Sequence, residues 1–298
     1  MFSNFDALQK SLGAGEKKTL VVAAAHDRHT LEAVYQAASV LPMQYVLVGD
    51  RERILTISTE LGVEVAEEDI VHAEDDFKCA ALSIALIREG YGNVLMKGLI
   101  ETGILLKAVL DKEVGIRGTG TMSHLAMLEV PTYERLIAVT DGGMIPHPTL
   151  EQKADIIRNA VLFFNGMGME KPNVAVLTAA EAVSAKMPET QDAEVLQQLG
   201  EQGELGNCLV EGPLSFDIAV SKKSAQIKKH LSKMSGAVDI LAVPTVATGN
   251  ILCKSLLYWA NAKMAGCVLG ATVPIVLVSR GATAKEKFYS IMLCLKAG

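Results

Sequence analysis

Apolar positions along this chain alternate between two kinds of run. Short blocks rich in Val, Ile and Leu recur at residues 19–25, 45–48, 69–71, 94–97, 125–130, 136–139, 173–177, 208–211, 240–243 and 274–278, and predict buried strands. Between them, apolar residues return at helical spacing over 30–41, 51–61, 75–89, 149–165, 189–202, 249–265 and 284–295. Strands that alternate with helices of this length predict βαβ units and a mainly parallel sheet, an α/β fold. Two helix starts carry capping-box sequences, Thr149-x-x-Gln152 and Thr283-x-x-Glu286. The alternation breaks between Val114 and Val139, where two strand blocks are separated only by Pro131-Thr132-Tyr133-Glu134. An antiparallel excursion or a crossing between subdomains is expected there, with a boundary near residues 118–121. The expected division is residues 1–120 plus 281–298 as one α/β subdomain and 121–280 as the other.

Composition narrows the class. Half of the 298 residues are apolar, enough for a substantial core. With 28 basic and 34 acidic residues the net charge is −6, so no nucleic-acid footprint exists at the level of the whole chain. No apolar run approaches the ~18 residues of a membrane helix. The first residues lack the basic and apolar regions of a secretory signal. Five cysteines, at 79, 208, 253, 267 and 294, are odd in number and form no C-x-x-C pair. They predict free thiols in a reducing cytoplasm, with neither a disulfide framework nor a zinc site.

Familiar cofactor motifs are missing. The glycine pairs at 13/15, 118/120 and 166/168 lack the third glycine of a dinucleotide fingerprint, and no Walker A, G-x-S-x-G or H-E-x-x-H occurs. His26 and His29 straddle a strand end and a helix start, which favours a turn and a cap over a metal site. In open parallel sheets ligands bind beyond the carboxyl ends of the strands. Those ends read His26-Asp27-Arg28, Lys97-Gly98, Thr140-Asp141-Gly142-Gly143, Thr178, Pro244-Thr245 and Ser279-Arg280-Gly281. The last is the most informative: Arg280 directly follows an apolar strand, and Thr283 caps a helix whose N-terminus suits a phosphate.

These residues resemble the phosphate acetyltransferase and phosphate butyryltransferase family. The likeness covers most of the chain, densest from Lys97 onward. It includes Lys97-Gly98 with Thr102; Thr140-Asp141-Gly142-Gly143; Lys186-Met187-Pro188-Glu189-Thr190 with Asp192-Ala193; Gly212-Pro213-Leu214 with Asp217; Thr248-Gly249-Asn250; and Ser279-Arg280. The Lys-Met-Pro and Gly-Pro-Leu blocks look more like the butyryl branch. The resemblance implies two α/β subdomains around a cleft, in the fold of isocitrate and isopropylmalate dehydrogenases, and a homodimer in the cytoplasm. It implies reversible acyl transfer between coenzyme A and phosphate, with coenzyme A a substrate and no bound metal or nicotinamide.

By the same resemblance Ser279 stabilises the tetrahedral oxyanion, Arg280 holds the phosphoryl group, and Glu286 is the base for the thiol. Butyryl-type relatives tend to carry the acid one position earlier, where this chain has Lys285, so the base is left open between these patterns. Substrate binding is carried over to Lys97, Gly98, Thr102, Lys107, Asp141, Gly249 and Asn250. Lys107 stands where the acetyl branch has an arginine, which keeps the charge and loses the bidentate fork. Thr245 replaces the usual Asp or Asn after Pro244, and Arg117 is a further cationic candidate. The competing readings are phosphate acetyltransferase, a dehydrogenase of the same fold, and a non-catalytic coenzyme A sensor.

Overall fold

The computed structural model describes residues 2–13, 17–278 and 282–297. In chain order the elements are α1 (Phe5–Ser11), β1 (Lys18–Ala23), α2 (Arg28–Val40), β2 (Met43–Gly49), α3 (Arg51–Glu60), β3 (Ile70–His72), α4 (Asp76–Arg88), β4 (Val94–Lys97) and α5 (Thr102–Val109). Then come β5 (Ser123–Glu129), β6 (Ile137–Thr140), α6 (Leu150–Gly166), β7 (Asn173–Leu177), α7 (Pro188–Glu201), β8 (Leu209–Leu214), α8 (Phe216–Val220) and α9 (Lys222–Ile227). The chain closes with β9 (Ile240–Ala242), α10 (Val246–Trp259), β10 (Lys263–Leu269), β11 (Ile275–Val276) and α11 (Ala284–Ala297). Two compact units result: a first from Phe5–Thr119 and Ala265–Gly298, and a second from Met1–Asn4 and Gly120–Met264.

In the first unit the strand order is β3-β2-β1-β4-β11-β10. All neighbours are parallel except β10 and β11. Leu20, Val21, Val22 and Ala23 of β1 are all fully buried, an unbroken apolar run of the kind a central parallel strand requires. Asp27, Asp50 and Asp75 cap α2, α3 and α4 by accepting a backbone N–H three residues on, so each crossover helix starts where its strand ends. The terminal helix α11 packs on α2 and α1, with Tyr289 stacked on Phe5 at a centroid distance of 4.4 Å.

The second unit has the order β5-β6-β9-β7-β8. The β5–β6 pair is antiparallel, as the break in the alternation predicts, and the other neighbours are parallel. Its core joins Leu128, Val139, Leu177 and Leu241 from the strands to Cys253 of α10. Leu136 donates its N–H to the Phe2 carbonyl, which ties the first residues to this unit.

Two expectations need correction. The helix expected over 249–265 stops at Trp259, because Asn261 adopts the left-handed conformation at φ 51° and turns the chain into β10. Good helix formers at 262–265 hide that strand in the sequence. The second crossing back to the first unit therefore falls at Ala265, not at residue 281. Pairing explains it: Ile275 and Val276 lie beside Leu95 and Met96 of β4, and Gly118 donates to the Gly270 carbonyl. Helices α1, α5, α8 and α9 lie outside the expected helical stretches: α1, α8 and α9 are short, and α5 is embedded in a glycine-containing block.

Ser290 of α11 is fully buried; it accepts the Gly266 N–H at 2.9 Å and donates to the Glu286 carbonyl at 2.7 Å. Ser290→Ala leaves that β10 N–H without its acceptor, and a loss of about 1–3 kcal/mol in urea unfolding is expected. An unchanged midpoint would show that the bond does not hold α11 to β10.

Candidate active site

Each unit presents the carboxyl ends of its parallel strands; of the sequence-predicted residues, Lys97, Gly98 and Asp141 lie directly at such ends. In the second unit β6 runs into Asp141 through a cis Thr140–Asp141 peptide. Asp141 is only 2% exposed. Its Oδ1 accepts N–H groups from Gly143 (2.8 Å), Met144 (3.1 Å) and His124 (3.2 Å), and its Oδ2 accepts that of Ile145 (2.9 Å). Such a carboxylate has its lone pairs engaged by backbone, so Asp141 holds the shape of the 141–145 loop.

The first turn of α10 lies against that loop. A Cβ on Gly249 would come within 2.8 Å of Gly142 Cα and 2.9 Å of the Asp141 carbonyl, so the backbones meet at a distance only glycine permits. Thr245 caps α10 by accepting the Thr248 N–H, the work that residue does here in place of an acid or amide. Gly249 is buried and Asn250 is exposed: the first packs, the second faces outward. The Lys186–Thr190 block is a helix start, with Pro188 in the first turn of α7 and the Thr190 hydroxyl bonded to Ser184 and Met187. Next to it, Lys153 pairs with Asp192 at 2.6 Å over a narrow crevice lined by Thr140, Val176, Leu177 and Val243.

Asp217 of the Gly-Pro-Leu block joins a cluster that sequence reading missed. The Ser215 hydroxyl contacts Glu181 and Asp217, and Lys228 Nζ reaches Asp217 at 3.0 Å and Glu181 at 3.1 Å. Hydrogen bonding by Ser215 and then Lys228 holds both carboxyls below their ordinary range. The other three members of the cluster lie 2, 11 and 36 positions from Asp217, so no local motif signals it.

In the first unit β1 ends at Ala23, and Ala24 takes the left-handed conformation at φ 57°. The carbonyls of Ala23 and Ala24 accept the N–H groups of Gly98 and Leu99, each at 2.8 Å. A Cβ on Gly98 would stand 2.3 Å from the Ala24 oxygen, so glycine is required by packing there. Lys97, the last residue of β4, turns its Nζ to the Gly98 carbonyl at 3.0 Å. Thr102 opens α5, whereas Lys107 is exposed in its last turn, about 7.5 Å further along the axis. The two residues therefore sit at opposite ends of one helix. Arg117 is exposed and bridges to Ala271.

Asp27 caps α2, in line with the turn-and-cap reading of the histidine pair. At the start of α11 the capping box is formed: Glu286 Oε2 accepts the Thr283 N–H at 2.7 Å and its hydroxyl at 3.0 Å, and Thr283 accepts the Glu286 N–H at 3.2 Å. Glu286, expected as the base, thus spends its carboxylate on the cap. Lys285 lies over the Tyr289 ring instead. Ser279 and Arg280, the other two expected catalytic residues, and Gly281 lie outside the described residues. Among the described residues, no group of three or more His, Cys, Asp or Glu side chains is arranged to hold a metal ion.

His26 follows β1 and accepts the Asp50 N–H on Nδ1 at 3.4 Å. Burial, reinforced by Arg53, holds its imidazole below the ordinary 6.5. The folded protein thus favours neutral His26, and the unfolded chain takes up the proton first. The stability this contributes is complete above about pH 6.5 and is lost as the pH falls below it. His26→Asn is expected to flatten the decline of urea-derived stability between about pH 7 and 5. Equal slopes for variant and wild type would remove His26 from the acid limb.

The family described as phosphate acetyl/butaryl transferase matches residues 78–295. The chain is 36% identical over 293 residues to a phosphate butyryltransferase of Clostridium acetobutylicum, covering 98% of this chain and 97% of the other. It is 40% identical over 282 residues to a phosphate acetyltransferase of Thermotoga maritima, covering 95% and 96%. Among solved structures it is similar to a branched-chain phosphotransacylase of Enterococcus faecalis, with TM-score 0.83, 30% identity, and coverage of 94% and 98%. A weaker likeness, TM-score 0.57 at 14% identity over 95% of this chain and 100% of the other, joins it to a 4-hydroxythreonine-4-phosphate dehydrogenase of Klebsiella pneumoniae and concerns the fold alone. The chain, an α/β protein of the dehydrogenase-like architecture, belongs to the phosphate acetyl/butyryl transferase family.

Proposed function

We propose that this protein catalyses the reversible transfer of a short acyl group, butyryl or branched-chain, between coenzyme A and inorganic phosphate. The observation that carries the proposal is the near full-length correspondence with transferases of both branches, within which this chain supplies Ser279-Arg280 inside the matched stretch. In the thiol-attack direction a base takes the CoA thiol proton, the sulfur adds to the acyl phosphate carbonyl to form a C–S bond, and the tetrahedral oxyanion collapses by breaking the acyl C–O bond, so that phosphate leaves. Ser279 donates to the oxyanion, where a preplaced donor acts most strongly. Arg280 neutralises the departing phosphoryl group through its planar fork. Lys97, Thr102, Lys107 and Asn250 serve substrate binding. Gly98, Asp141 and Gly249 serve it indirectly, by fixing the backbone that carries those groups.

Direct transfer in a ternary complex fits the thiols of this chain. Burial pushes Cys79 and Cys208 up to about 11 and Cys253 up to about 12, and it raises Cys294 well above the ordinary range. Burial thus disfavours the nucleophilic thiolate in these four, which supports transfer without an acyl-cysteine. Proximity of the two bound substrates then supplies the rate. The proposal extends to a cytoplasmic homodimer. In support, all five cysteines are free and buried, and α10 exposes Ile251, Tyr258 and Trp259. Among the described residues no helix is long and apolar enough to cross a membrane.

Phosphate-dependent release of CoA thiol from acetyl-, butyryl- and isobutyryl-CoA, compared by kcat/KM, tests the reading. Preference for four-carbon chains is expected. Acetyl preference would move the protein to the sister activity, which the Thermotoga maritima relative represents. Thiol release from none of them, by folded protein that binds CoA, would replace the enzyme with a sensor. Arg280→Ala is expected to lose most turnover, about 10²-fold or more, with the fold intact. Glu286→Gln preserves the capping box. A fall of about 10²-fold in turnover is expected if Glu286 is the base, and activity within about threefold of wild type would assign that role elsewhere.

A further inference from the structure

One polar cluster in the first unit has no part in the roles assigned so far. Lys287, in the first turn of α11, is 87% enclosed, its side chain being 13% exposed. Its Nζ donates to the Thr30 hydroxyl at 3.1 Å, and Thr30 is fully buried. The N–H of the same Thr30 goes to Asp27 Oδ1 at 3.0 Å, the cap of α2. Lys287 Nζ stands 3.8 Å from that Oδ1, within ion-pair range and beyond a hydrogen bond. Asp27 Oδ2 is buried with no hydrogen-bond partner.

Stability alone does not account for this arrangement. The cation lies in the first turn of one helix and beside the first turn of another, the ends where helix dipoles favour negative charge. A buried ion pair that leaves a carboxylate oxygen unsatisfied and does not close to hydrogen-bond distance is a poor source of folding free energy. What the cluster does achieve is geometric. It ties residue 287 to residues 27 and 30, so the start of α11 has one fixed place on the carboxyl end of β1. The capping box fixes the same turn from within, through Thr283 and Glu286. The residues expected to act on substrate stand next to this turn in the sequence, at 279, 280 and 286.

We propose that Lys287 is a positioning residue for acyl transfer: clasped by Asp27 and Thr30, it sets the first turn of α11 and so the placement of the groups the chain carries into that helix. This rests on the acyltransfer reading above. Displacement of a reacting group by about 1 Å is enough to cost about 10²-fold in rate, so a loosened clasp shows in turnover before it shows in folding.

The test uses the full chain with Lys287→Met, which keeps length and removes charge, and Lys287→Arg, which restores a cation. For Lys287→Met, kcat is expected to fall about 10- to 100-fold while KM for acyl-CoA stays within about threefold. Its melting temperature is expected within about 2 °C of wild type. Hydrogen exchange over residues 284–288 is expected to quicken, and Lys287→Arg to recover turnover to within about threefold. Turnover unchanged in Lys287→Met, or lost together with melting temperature and not recovered by arginine, would overturn the proposal. Unchanged exchange in an active protein would overturn the clasp itself. A wild type without thiol release would overturn the acyltransfer reading, and the positioning role with it.

Discussion

The carboxylate of Asp141 is the interaction on which the edge of the second unit at the carboxyl end of β6 depends. Four backbone N–H groups converge on it, three from the loop it opens and one from His124 on the neighbouring strand. A loop of five residues has few other ways to satisfy those donors without water, and each orphaned one is costly. With the loop so held, Gly142 presents bare backbone to Gly249, and the first turn of α10 approaches as closely as two glycines allow. Asn250, the next residue of that turn, is exposed. An acid that looks like a ligand for substrate is thus first of all a ligand for its own main chain.

The first unit solves the same problem with different means. There the strand end is shaped by a left-handed Ala24, whose carbonyl lies under Gly98, and by aspartates that cap each helix as it leaves the sheet. Both edges follow one rule: residues with small or capping side chains build the floor, and the groups with reach, Lys97, Thr102 and Asn250, stand on it.

Much of this was legible in the sequence, for identifiable reasons. Buried parallel strands are continuous apolar runs, so β4 and β7 could be bounded to the residue. Both capping boxes are local, four-residue signals, and both form. Strand β10 was hidden because Asn261 does the turning and the residues around it suit a helix equally well. The division of roles among the site residues was less legible. Gly98 and Gly249 read as ligand-facing glycines, yet their partners are backbone atoms tens or hundreds of residues away. Lys287, Asp27 and Thr30 are separated by up to 260 positions and belong to no short pattern. A one-dimensional reading finds groups that are close along the chain and misses those that only the fold brings together.

The return of the chain at Ala265 governs the order in which the protein can be completed during synthesis. The second unit is contiguous from Gly120 to Met264 apart from its first four residues, so nearly all its pairings are available once that stretch has left the ribosome. The first unit is made earlier but finished later. Its sheet lacks β11 beside β4 until residue 276 emerges, and α2 lacks its covering helix until α11 has emerged as well. Until then the edge of β4 and the apolar face meant for α11 stand open, a vulnerable interval of the kind chaperones shield. The unit that holds residues 5–119 is therefore the one that waits, and α11, translated after Met264, closes it.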